Sequence, residues 1–398
     1  MEELRARIAE VDQRIVELVG ERMRLAEQIG KLKQRMGVDV VNVETEAAVV
    51  SRIVSLGDSM CLERSFTNRL AALLIEEAVW VQDPSIRTHP FYQLSLLPET
   101  CEKQVRESIR LDLEEATFPQ LEETERKLHE ATMKGPEVDT PPIDVETIKE
   151  AVRNWLNQEY GLDLDSEQIL LTPNRRAAAF AAIVAIVPQG GRAVIPTPSP
   201  PLYGGTVQLV GGRVYTLHTR IEEEWGINLE KLGNLLRINP EVIILSVPNN
   251  PTGKVYSKET LQEVFTMVKR TGTFLIADET YSTNLTKPLT SLLKTGNPNS
   301  VYLGTFPPYP TSWSHSIGYA VSDRDTVRRM EQIMLLSGNR LSNFHWPLLK
   351  AFQIDPSLWQ EYERELQMRV TLAAEKLKQL PVSYVLPDSG LHFFIKIM

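Results

Sequence analysis

The sequence predicts an all-α three-helix N-terminal domain followed by an α/β domain with a mostly parallel sheet, and three observations carry that reading. Residues 1 to 36 repeat apolar side chains at every third or fourth position, the period of one helix face. Beyond residue 145, short and nearly continuous apolar runs alternate with helical stretches, as parallel strands covered on both faces do. The chain has 398 residues, more than one hydrophobic core usually serves. The expected division is 1–85 for the helical domain, 86–145 for a linker and helical segment, and 146–398 for the α/β domain.

The first helix carries Leu4, Ile8, Val11, Ile15, Leu18, Leu25, Ile29, Leu32 and Met36 on one stripe, and Arg22 interrupts it. A helix of this length spans about 50 Å and cannot bury its stripe alone. A second, shorter pattern runs through Glu46, Val49, Val50, Ile53 and Leu56 and stops near Gly57. A third runs through Phe66, Leu70, Leu73, Leu74, Ala78 and Val81, with Gln82 one turn beyond Ala78. One long and two short helices make a thin subunit, so a homodimer is the economical way to close the core. After Gln82 the prolines of DPSIRTHP mark a linker at 83–95, and a Glu-rich, partly helical stretch follows. Helix is then expected over 143–160 and 175–187, with strands at 168–171, 192–195, 214–217, 242–246, 274–277 and 301–304.

Composition narrows the function. The net charge of -9 argues against a nucleic-acid partner. No signal peptide and no apolar run of about 18 residues is visible, so a cytoplasmic protein that avoids membranes is expected. Cys61 and Cys101 form neither a disulfide framework nor a metal knuckle, and no metal is expected.

Polar residues of the first domain form a pattern of their own. Arg22 and Lys33 lie close to three whole turns apart and project from nearly the same side of the helix. Ala26 and Gly30 between them leave room beside the backbone, which is the shape of a pocket wall. Arg5 is about 25 Å from Arg22 along the axis, and an antiparallel partner could bring its own copy to that place. Together with Glu46 and Gln82, these cations fit a small anionic ligand. A coiled-coil assembly in which Arg22 only sets the register accounts for the same stripe.

The stretch LRARIAEVDQRIVELVGERMRLAEQIGKLK, followed by Glu46 and by LIEEAVWVQ ending at Gln82, closely resembles the all-helical, AroQ-type chorismate mutases. That resemblance implies an intertwined three-helix homodimer and chorismate as substrate. It assigns Arg22 and the partner subunit's Arg5 to the two substrate carboxylates, Lys33 and Gln82 to the ether oxygen, and Glu46 to the ring hydroxyl. Many members carry an aspartate and an arginine where this chain has Asn42 and Thr45, and some carry a serine at Ala78.

The α/β region resembles class I, pyridoxal-phosphate-dependent aminotransferases of fold type I through VPNNPTGKVYS, IADETYS and SIGYAVSD, the last beginning at Ser316. The resemblance implies that Asn250 and Tyr281 bond the cofactor's phenolic oxygen and that Asp278 pairs with the pyridine nitrogen. Departures are severe. Pro308 stands at the lysine position, Ser316 at that of a phosphate-binding arginine, and Asn174 and Arg175 where a small-residue pair opens the phosphate cup. Proline has no amine, so pyridoxal phosphate is not expected to be covalently bound. The domain is expected to be degenerate or cut short near LHFFIKIM. The leading reading is a chorismate mutase with a regulatory or scaffolding, non-transaminating C-terminal domain. A bifunctional mutase and aminotransferase, and a non-catalytic helical dimer with a pseudoenzyme attached, stand as alternatives.

Overall fold

The computed structural model describes residues 1–40, 42–83, 145–282, 291–295, 299–306, 317–339, 341, 356–389 and 392–397. The chain divides into two compact units, one built on the first three helices and one on the sheet.

In the helical unit, α1 (Glu2–Met36), α2 (Val43–Ser59) and α3 (Arg64–Gln82) follow the three sequence patterns. Asn42 caps α2, its side-chain oxygen accepting from the Thr45 amide at 2.8 Å. Val50, Ala71, Ile75 and Val79 are buried together between α2 and α3. Helix α1 meets α3 along its C-terminal half only. Ala26 and Gly30 are its buried residues, while Leu4 and Ile8 remain 62% and 59% exposed and the stripe through Leu32 is open along its length. Gly30 sets the closest approach: a Cβ there would stand 2.8 Å from the Cα of Gln82.

The α/β unit begins with α4 (Val145–Tyr160), which buries Ile148, Val152 and Leu156, residues spaced four apart. It continues through β1 (Ile169–Thr172), α5 (Arg175–Ile186), β2 (Arg192–Thr197), α6 (Pro201–Leu209), β3 (Arg213–His218), α7 (Leu229–Leu236), β4 (Val242–Ser246), α8 (Lys258–Thr271), β5 (Phe274–Asp278), β6 (Ser300–Phe306), β7 (Ile317–Val321), α9 (Arg324–Leu336) and α10 (Pro356–Leu377). The short strands β8 (Val382–Tyr384) and β9 (Ile395–Ile397) form an antiparallel pair.

Seven strands lie in the order β1-β7-β6-β5-β4-β2-β3. Strands β2, β4, β5 and β6 pair in parallel, whereas β7 runs antiparallel to both β1 and β6. The sheet is therefore mixed but mostly parallel. Strands β4 and β5 are nearly all apolar because both their faces are covered, and their register sets Ser246 beside Asp278 at the strand ends. Helix α5 is rich in alanine, which lets it pack closely against the sheet with Ala177, Ala178, Ala181 and Ala182 buried.

Candidate functional site

Each unit contains a cavity, and most of the expected residues fall into one or the other. The cavity of the helical unit has a volume of about 280 Å³ and is lined by Arg22 and Lys33 of α1, Glu46 of α2 and Gln82 of α3. Helical period places the first two on one side, and the missing side chain of Gly30 lets the end of α3 close on them. Arg22 donates to the Leu74 carbonyl at 2.5 Å, and Lys33 to the Val40 carbonyl at 2.7 Å. The Gln82 amide nitrogen donates to the Ala78 carbonyl at 3.0 Å, leaving its buried Oε1 without a hydrogen-bond partner. A buried acceptor in that state costs about 1–3 kcal/mol, which a ligand donor recovers. Burial first, and then the like charge of Arg52, holds the Arg22 guanidinium below its ordinary pKa.

Asn42, Thr45 and Ala78, the three departures from the mutase pattern, line the same cavity. Arg5 does not; it lies on the exposed N-terminal half of α1. Sequence reasoning missed Arg52, which also lines this cavity. Its cue was spacing, since 52 is two turns beyond 45 on the same face of α2.

The cavity of the α/β unit has a volume of about 370 Å³ and lies beyond the C-terminal ends of β2, β4 and β5. Asn250 and Asp278 line it, together with Arg175, Arg176, Ser199 and Tyr203. Of the paired asparagines, Asn249 turns inward to accept from the Thr252 hydroxyl at 2.8 Å, and Asn250 reaches the Tyr281 hydroxyl at 3.0 Å. Gly253 closes this turn at φ 67°, where a Cβ would stand 2.5 Å from that of Pro387. Asp278 accepts from the Tyr203 hydroxyl at 2.5 Å and from Thr280 through its hydroxyl at 2.6 Å and its amide at 3.1 Å. Burial, followed by the Asp278 charge, drives the Tyr203 phenol well above its usual pKa.

Asn250, Tyr281 and Asp278 are thus brought together, and Arg175 joins them. Arg175 donates to the Tyr281 hydroxyl, and its guanidinium carbon lies 4.7 Å over that ring. Among the described residues no lysine lines the cavity; Lys254 pairs instead with Glu224 at 3.5 Å and Asp388 at 4.0 Å. Pro308, Ser316 and Lys287 lie outside the described residues. No group of three His, Cys, Asp or Glu side chains among the described residues is placed to hold a metal ion. No described helix is long and apolar enough to cross a membrane.

A helical unit with a cationic cavity and an α/β unit with a strand-end cavity define a two-part chain of the mutase and aminotransferase type. Residues 106–396 match the family model for aminotransferase class I and II, and residues 4–83 match that for chorismate mutase type II. The chain belongs to the aminotransferase class I and II family and carries an N-terminal chorismate mutase type II domain. An aspartate aminotransferase of Thermotoga maritima is 25% identical over 299 residues, 74% of this chain and 78% of the relative. The aspartate/prephenate aminotransferase of Thermus thermophilus is 24% identical over 298 residues, 71% of this chain and 75% of the relative. Among solved structures, the Thermotoga maritima aspartate aminotransferase superposes with a TM-score of 0.64 at 22% identity, covering 77% of this chain and 82% of that one. An alanine aminotransferase from Pyrococcus furiosus gives 0.66 at 20% identity, covering 79% and 84%.

Proposed function

We propose that the helical unit converts chorismate to prephenate by an intramolecular Claisen rearrangement, working as a homodimer. The observation that carries this reading is the convergence of Arg22, Lys33, Glu46 and Gln82 on one cavity within the region matching chorismate mutase type II. The reaction breaks one C–O bond and makes one C–C bond in the same molecule, so the protein moves no proton or hydride. It must hold a dianion in its compact conformer and place positive charge where negative charge grows. Arg22 meets one carboxylate with a planar, bidentate fork, and the partner subunit's Arg5 meets the other. Lys33 leaves the Val40 carbonyl to approach the ether oxygen as a concentrated charge. Gln82 turns its amide nitrogen from the Ala78 carbonyl to donate there as well. Glu46 accepts from the ring hydroxyl. The exposed stripe of α1 supports the dimer, since a second copy would cover it and supply the distant Arg5.

The α/β unit, on this reading, does not transaminate. Arg175 on Tyr281 and the proline at position 308 weigh against the bifunctional alternative, which the family match and the relatives' names favour. Pyridoxal phosphate binding at Asn250, Asp278 and Tyr281, where it occurs, is non-covalent. A regulatory or scaffolding role for this unit follows, in a chain located in the cytoplasm. The test is the loss of chorismate's ultraviolet absorbance with full-length protein, prephenate being identified as product. A folded, dimeric protein that leaves chorismate untouched refutes the proposal.

A further inference from the structure

The cavity of the helical unit is lined by one more cation than the mutase reading uses. Arg22, Lys33 and Arg52 face a single carboxylate, Glu46, among its lining side chains, and that carboxylate is already paired with Arg213 at 3.3 Å, so positive charge is in excess by two or more. The guanidiniums of Arg22 on α1 and Arg52 on α2 repel each other, and the lowered pKa of Arg22 has the charge of Arg52 as its cause after burial itself. Such an arrangement gains most from a ligand with two negative charges.

Helix geometry says which space Arg52 serves. It follows Thr45 by seven residues, two turns along the same face of α2, about 10 Å farther down the axis. Side chains on a helix lean toward its N-terminus, so an arginine reaches back over the turn before its own Cα. A long guanidinium at 52 therefore covers part of the distance to Thr45, whose short hydroxyl brings no charge to the same wall.

We propose that Arg52 is a substrate-binding residue, the third cation for the carboxylates of the dianionic substrate, taking the share of charge that Thr45 does not provide. This rests on the mutase reading and deepens it. Arg52 acts on binding more than on the rearrangement, because the ether oxygen belongs to Lys33 and Gln82.

Steady-state kinetics with chorismate separate the two propositions, using the full-length chain, Arg52→Ala, Arg52→Lys and the double variant Thr45→Arg with Arg52→Ala. Helix content and melting temperature are recorded for each. Arg52→Ala is expected to raise KM at least tenfold with kcat changed less than threefold, Arg52→Lys to recover part of that loss, and the transferred arginine at 45 to recover at least a third of it on a logarithmic scale. Wild type that turns over chorismate alongside an Arg52→Ala variant within twofold in KM overturns the role of Arg52 alone. So does a KM loss that neither Arg52→Lys nor the transferred cation recovers in variants melting like wild type. A wild type inactive on chorismate overturns the mutase reading, and this inference with it.

Discussion

The cavity of the helical unit and the strand-end cavity of the α/β unit differ in how their polar groups are used. In the helical unit, Arg22, Lys33 and Gln82 spend their donors on single backbone carbonyls, bonds that a ligand can exchange one for one. In the α/β unit, Asp278 and Tyr281 are already bonded to other side chains, Asp278 by the Tyr203 and Thr280 hydroxyls as well as the Thr280 amide, and Tyr281 by both Asn250 and Arg175. The first cavity is arranged to receive an anion. The second has satisfied its own ring anchors from within. Residue types alone would rate the two sites alike; partners separate them.

The sharpest way to break this comparison is Lys33→Ala. Removing the cation at the growing charge should cost about 2–4 kcal/mol of transition-state stabilisation, read as a fall in kcat at saturating chorismate. An unchanged kcat would remove the role given to Lys33 and leave the mutase reading standing.

The next largest effect concerns stability in the α/β unit. Burial raises the Glu279 carboxyl to about 7, against an ordinary value of 4.5, although Ser291 and the Leu292 amide donate to it at 2.6 and 2.7 Å. Between those values the folded chain retains a proton that the unfolded chain has released. Stability from this group is therefore complete below pH 4.5 and declines as pH rises through 7, by about 3 kcal/mol in all. Denaturant melts of the wild type and Glu279→Gln across pH 4 to 8 should diverge in slope over that window; parallel curves would show that Glu279 ionises freely.

Gly30→Ala should act more gently. The added methyl meets the backbone of Gln82 and displaces the end of α3, a strain partly offset by alanine's better helix propensity, for a net loss of about 1 kcal/mol. Chorismate kcat/KM should fall while the melting temperature drops only a few degrees. The smallest expected effect is none at all: borohydride treatment of the full chain with pyridoxal phosphate should trap no lysine adduct. A stoichiometric adduct mapped by mass spectrometry would restore chemistry to the α/β cavity.

Much of the fold was legible because burial writes a period into the sequence. Residues 242–246 were expected as strand and form β4 without a residue's difference, their five side chains all buried. Helix α6 was missed: PLYGGTVQL contains a proline and two glycines, and what holds it helical is the burial of Tyr203, Thr206 and Val207, a tertiary effect. Strand β7 was read as part of the SIGYAVSD motif and not as an element, and its antiparallel direction is a matter of connection that no local pattern encodes. In the helical cavity, Arg22 stood out because it interrupts an apolar stripe. Arg52 did not, since an arginine on a short amphipathic helix is ordinarily solvated and only its neighbours across space mark it. The same holds for Arg175, whose contact with Tyr281 joins residues 106 positions apart.

The open N-terminal half of α1 has a thermodynamic consequence. Leu4 through Leu18 find no apolar cover in their own subunit, and an isolated helix of that length is marginal in water. In the homodimer proposed above, order in this segment depends on how often two chains meet, which makes the fold second order in protein. On that proposal, dilution unwinds the helix that carries Arg5 and empties the proposed composite site in one transition, so the midpoint of melting and the specific activity should both rise with total concentration. Catalysis by this chain would be tied to its abundance, with no effector required.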